Sequence, residues 1–164
     1  MGKNRCHIRT VVEEPARYLK SGRVLWAAAA LTIAAAVAAV LTVREIAVRM
    51  LRPDPAFSPL TPGPPMIATI GCTAMAVYVF RGMAFYPNPV RTWRQVAAAA
   101  LMVSFMPNIL MAISHTAGQG WPEACALMTM HVAVWAICVT LLPWLALTKH
   151  PPAAQAPDRP LSIL

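Results

Sequence analysis

Few side chains in this sequence could do more than pack. His131 lies inside an uncharged run, Ala124–Thr148. At helical spacing, Met128, His131, Trp135 and Cys138 share one face. A second run, Gln95–Pro122, carries Ser104, Asn108 and His115 at four- and seven-residue spacing, again on one face. Asn108 lies about 10 Å along a helix from His115, and His131 about 12 Å from Glu123, by the helical rise. A short turn joins the two runs, so they are expected to be antiparallel neighbours. An amide and an imidazole would then sit at matching depth. The first expectation is structural: an interhelical hydrogen bond, worth only about 0.6–2 kcal/mol in lipid. The alternative is a small-ligand pocket lined by His131, Asn108, Ser104, Trp135 and Arg44. Acid–base catalysis by His131 comes last, because no carboxylate lies in any of the apolar runs to serve as its partner.

Arg44 and Glu45 follow the first apolar run directly. If its helix continues, they reach the same cavity. Otherwise they mark the membrane interface, with Arg44 snorkelling outward. Glu45 and Arg49 are four residues apart and can pair on one face. The cysteines, Cys6, Cys72, Cys125 and Cys138, include no C-x-x-C pair. Buried, inert thiols are the default for them. Met102, Met106, Met111, Met128 and Met130 raise a Cu(I) reading. It is set aside because Met128 and Met130, two apart, point to different sides of a helix. No nucleotide motif or nucleophile–base pair is present, and we expect no cofactor and no metal.

These residues are positioned by apolar segments. The chain has 164 residues, 58% hydrophobic and 12% charged. A soluble domain runs nearer 45–50% and 25%. Four uncharged runs, Val24–Val43, Pro55–Phe80, Gln95–Pro122 and Ala124–Thr148, hold 99 of the residues. A spanning helix needs about 20. This leaves no room for a separate Rossmann, barrel or sandwich domain. We expect an all-α, up-down antiparallel four-helix transmembrane bundle over residues 23–148. Its spans are about 24–50, 64–80, 95–114 and 123–147, with tails 1–22 and 149–164. The first run is longer than a secretory h-region and is expected to be an uncleaved helix. It repeats small residues every fourth position, Ala28-Thr32-Ala36 and Ala30-Ala34-Ala38, which lets helices approach closely in lipid.

Six of the 16 prolines fall in 52–65, so that stretch is an extended connection. Arg81 is expected to end span two, which is then short. Pro107 should kink span three. Trp93, between Arg91 and Arg94, reads as a headgroup-level anchor in a loop. The N-terminal tail reads as mobile.

The net charge of +8 follows the spans. The two tails and the middle loop hold 11 Lys/Arg against Glu13, Glu14 and Asp158; the other side balances three arginines with three acids. Basic residues in short loops favour the cytoplasm, so both termini are expected there, in a multi-pass cell-membrane protein. The basic residues flank apolar spans, which points to membrane lipids and away from nucleic acid. A homo-oligomer or a partner membrane protein is the other expected contact.

The order of Phe57-Ser58-Pro59-Leu60-Thr61-Pro62-Gly63, Arg91-Thr92-Trp93-Arg94, Ser104-Phe105-Met106-Pro107-Asn108, and Met130-His131 followed by Leu141-Leu142-Pro143 resembles a bacterial, largely actinobacterial, family of small four-helix membrane proteins of unknown function. The resemblance covers about 23–147. It implies the fold and draws attention to position 108, often acidic in that family, and to His131. It implies no activity. The expected function is therefore non-enzymatic binding of a small ligand or partner helix. The alternatives are a transporter with an outward-facing cavity around Asn108 and His131, and a membrane enzyme acting on a lipid or quinone with His131 as base.

Overall fold

The computed structural model describes residues 18–52, 60–114 and 120–148. The expectations for the two tails outside this range, the middle of the proline-rich connection, and His115 lie outside the described residues. Among the described residues there are four long helices: α1 (Gly22–Leu51), α2 (Gly63–Met83), α3 (Pro89–Ser114) and α4 (Trp121–Ala146). Each is long and apolar enough to cross a membrane. The protein is an all-α four-helix bundle, and the four spans make it a multi-pass membrane protein.

The helix ends depart from the hydropathy pattern in an informative way. α2 does not stop at Arg81 but runs to Met83, and its 21 residues give it full spanning length, about 32 Å. It begins at Gly63-Pro64-Pro65, where missing amide protons cost nothing. α3 begins at Pro89, six residues before the expected Gln95, with Thr92 N–H donating to Asn88 O at 3.1 Å. The charges of Arg91 and Arg94 end an apolar run, but they do not break a helix. Pro107 sits inside α3, and the helix continues through it. α1 closes with Arg52 in the left-handed region (φ 45°), its N–H on Val48 O. Pro53 follows and disfavours helical geometry at Arg52. At the start of α4, the Glu123 carboxylate accepts the Gly120 N–H at 2.9 Å, placing negative charge at a helix N-terminus.

One short pairing was not expected. Tyr18–Leu19 (β1) runs antiparallel to Leu147–Thr148 (β2), and Lys20 N–H donates to Ala146 O at 2.9 Å. The tail is thus pinned from Tyr18 onward. The pairing also puts the start of α1 beside the end of α4, so the two helices run antiparallel.

α4 packs most extensively on α1, and then on α3; α2 packs mainly on α1. The two α1 stripes separate. Ala28, Thr32, Ala36 and Val40 are buried, whereas Ala30, Ala34 and Ala38 are exposed. Only the first stripe serves the close contact inside the bundle.

The core is uneven along the bundle axis. At the end bearing β1 and β2, all four helices close on one cluster: Leu25 from α1, Val77 and Phe80 from α2, Val90 and Trp93 from α3, and Cys138 and Leu142 from α4. At the far end the buried apolar cluster is Val40, Leu60, Leu127 and Met130, from α1, α4 and the connection. α2 and α3 contribute none of its buried members. Trp93 is accordingly not an interfacial anchor. It is buried, donates from Nε1 to Cys138 O at 3.3 Å, and meets Phe80 edge-on with centroids 5.4 Å apart. Because α3 starts at Pro89, Trp93 lies on a helix face turned inward, not in a loop.

The split between the stripes has a direct test. Ala36→Leu is expected to lower unfolding stability in mixed micelles by about 1–3 kcal/mol through overpacking. Ala34→Leu, on the exposed stripe, is expected to stay within about 0.5 kcal/mol of the parent.

Candidate functional site

From the middle of the bundle toward the end away from β1 and β2, α2 and α3 present polar and small residues inward. Thr69 and Thr73 are buried on α2, and Asn108 and Ala112 on α3. From α4, His131 and Trp135 are half-buried, and Trp135 packs against the cluster nearer β1 and β2.

Most of these polar groups bond to their own helix. Asn108 Nδ2 donates to Ser104 O at 3.1 Å, and Ser104 Oγ donates to Leu101 O at 2.7 Å. His131 Nδ1 lies 2.8 Å from Leu127 O. A carbonyl only accepts, so Nδ1 carries the proton. In the neutral ring, Nε2 is then left as an acceptor. The expected Asn108–His131 hydrogen bond does not form; each residue bonds the carbonyl four positions back. The physical reason is local supply. A carbonyl one turn back is always within reach of a short polar side chain. Thr32, Thr42, Thr69, Thr129 and Thr140 make the same backward bond, to Ala28, Ala38, Pro65, Cys125 and Ala136.

Two groups break this habit. The Thr73 hydroxyl is fully buried, turned toward Cys138 on α4, and makes no hydrogen bond of proper geometry. The Trp135 Nε1–H is buried with no acceptor among the described residues. Trp135 lies one turn from both His131 and Cys138 on the same face of α4, as the spacing predicts. An orphaned buried donor costs about 1–3 kcal/mol, so this face of α4 is the most demanding polar location in the bundle.

Arg44 is placed differently from the other candidates. Its Nε donates to Leu60 O at 2.7 Å, and its Nη1 lies 3.3 Å from Glu45 Oε2. Glu45 also pairs with Arg49 at 3.0 Å across one helical turn, as the sequence predicts. Arg44 therefore ties the proline-rich connection to α1 and seats Leu60 against Val40, Leu127 and Met130. An open groove along Leu41, Thr42, Arg44, Glu45 and Ile46 lies on this outer surface. Sequence spacing missed this anchor because a backbone acceptor sixteen residues away has no residue-type signature.

The cysteines and methionines do not converge. Cys72 and Cys125 are exposed, contrary to the default of burial, and Cys138 alone of the three is buried. Met102 and Met106 face outward, while Met130 is in the core. Among the described residues, no group of three His, Cys, Asp or Glu could hold a metal. Comparison with family models, with curated proteins and with solved structures found no match.

Independence of the two expected partners is measurable. In a double-mutant cycle of Asn108→Leu and His131→Ala, the coupling energy is expected within about 0.5 kcal/mol of zero. Unfolding in mixed micelles reads it. A larger coupling would restore the interhelical pair.

Proposed function

We propose that this membrane protein is a non-enzymatic binder of a small, largely apolar molecule that carries a hydrogen-bond acceptor such as a carbonyl. The observation that carries this reading is the buried Trp135 indole N–H, which has no acceptor among the described residues. Beside it stands His131, whose ring nitrogen Nδ1 is held by Leu127 O. The molecule would enter from the bilayer at mid-bundle, where Trp135 packs on the margin of the cluster nearer β1 and β2 and beyond which α2 and α3 add nothing to the buried apolar cluster. Asn108 and Ser104 form the α3 wall, and Thr73 with Thr69 the α2 wall. Arg44 holds Leu60 as the end cap of this space and makes no contact with the ligand.

Several observations support binding over transport or catalysis. α2 has full spanning length and α3 continues through Pro107, so neither is a broken helix of the kind that lines transport sites. The described acids, Glu45 on α1 and Glu123 on α4, are engaged by Arg44, Arg49 and the Gly120 N–H, and neither pairs with His131. Both termini lie in the cytoplasm in this reading, with residues 84–88 on the same side.

Trp135→Phe tests the site. It removes the orphan N–H and keeps an aromatic ring. Mass spectrometry of the wild type purified in mild detergent is expected to find an apolar carbonyl-bearing molecule that Trp135→Phe loses about tenfold or more, the weight of one hydrogen bond to a buried donor (about 1.4 kcal/mol). A wild type carrying only bulk lipid, or a variant retaining the same molecule, would sink the proposal. Trp93→Phe, which breaks the bond to Cys138 O, should lower stability yet keep the ligand.

Orientation is tested separately. In a cysteine-free background, an impermeant thiol reagent applied outside intact cells is expected to label a cysteine at Gly118 and to spare one at Asn88.

A further inference from the structure

The described charges divide unevenly between the two ends of the bundle. Lys20, Arg23, Arg81, Arg91 and Arg94 lie at the end bearing β1 and β2. The two described acids, Glu45 and Glu123, lie at the other, with Arg44, Arg49 and Arg52. Five cations thus share one end without an acidic partner among the described residues, and the ion pairs that do form are Arg44–Glu45 and Arg49–Glu45. The same end carries a ring of exposed aromatics: Trp26 on α1, Phe85 and Tyr86 in the α2–α3 turn, and Trp144 on α4. Aromatic side chains of this kind prefer the headgroup level of a bilayer.

The cations are not evenly spread around that ring. Arg91 and Arg94 are three residues apart on α3, which places them side by side on one helix face. With Val90 and Gln95 they line an open groove of about 270 Å³. The groove sits below the aromatic level of the Phe85–Tyr86 turn, on the first two turns of α3. Two guanidinium forks carry donors only, the Gln95 amide can add its N–H, and a guanidinium engages phosphate with two parallel bonds. Buried Val90 forms the apolar side of the groove.

We infer that the Arg91–Arg94 groove is a seat for the phosphate of an anionic phospholipid, and that it selects such lipids from the leaflet at the β1–β2 end. Charge complementarity carries the assignment: five cations at one end, no described counter-acid, and an aromatic ring that fixes their depth at the headgroups. Acyl chains of the bound lipid would run down the exposed face of α3, where Met102, Val103 and Met106 are uncovered. This inference is independent of the ligand reading at Trp135.

The full chain would be reconstituted in vesicles of phosphatidylcholine and phosphatidylglycerol in equal amounts, extracted gently, and its retained lipids counted by native mass spectrometry. Wild type is expected to enrich phosphatidylglycerol over phosphatidylcholine. One arginine near an anionic surface is worth about fivefold, so R91Q/R94Q is expected to reduce the enrichment by up to about 25-fold. R91K/R94K keeps the charge and should keep most of the enrichment. R49Q/R52Q, at the opposite end, should not change it. The inference is overturned if folded R91Q/R94Q retains the enrichment, if R49Q/R52Q loses it equally, or if inorganic phosphate displaces the lipid. Monodispersity and unfolding in phosphatidylcholine alone confirm that each variant is folded; should R91Q/R94Q fail there, the single variants R91Q and R94Q carry the same comparison at about fivefold each.

Discussion

The close approach of α1 to α4 organises this bundle. In a bilayer, lipid tails are as apolar as leucine, so burial alone does not bring helices together. What remains is contact at short range, and small residues permit it. Ala28, Thr32 and Ala36 supply a smooth inner stripe on α1. Thr32 can occupy it because its hydroxyl is already engaged by Ala28 O at 2.7 Å. The seam is fastened at one end by β1 and β2, and at the other by Leu60 under the hold of Arg44. α2 and α3 are then laid against this pair. They meet each other sparsely, and their firmest described junction is Phe80 against Trp93 beside the turn.

A second regularity is economy in the use of polar groups. Hydroxyls, the Asn108 amide and the His131 ring return to carbonyls of their own helix. A backbone carbonyl accepts a second bond readily, so each such side chain enters the bilayer at low cost. Against that background, Thr73 and Trp135 stand out as groups for which the same solution was not taken. The indole has little choice, because its N–H lies too far from the backbone to fold back one turn. Thr73 has that choice and turns toward α4 instead.

The sequence made the spans legible because uncharged length is a direct consequence of bilayer thickness. α1 and α4 ended close to where hydropathy placed them. α2 and α3 ran past their predicted ends by three and six residues, because Arg81, Arg91 and Arg94 end an apolar run without ending a helix. Trp93 illustrates the cost of that confusion: its neighbours' charges suggested an interface, while its helical register put it in the core. At the site, spacing correctly gathered His131, Trp135 and Cys138 on one face of α4. It could not say where each side chain would bond, since a carbonyl one turn back competes with any residue on a neighbouring helix. The Arg44–Leu60 contact and the β1–β2 pairing use backbone acceptors and donors, which leave no mark on residue type.

The α1–α4 seam also has a consequence for assembly. The ribosome delivers α1 first and α4 last, so α1 must wait for its principal partner until the three other spans have been made. During that interval α1 has only α2 to pack against, and later α3 joins with Asn108 on its inner face. Spans that insert before they associate must each be tolerable alone. The backward hydrogen bonds of Thr32, Thr69 and Asn108 make them so, since those bonds need no other helix. Trp135 arrives on the last span, when the other walls are already in place, and it is the residue whose polar group least needs to survive a solitary stay in lipid.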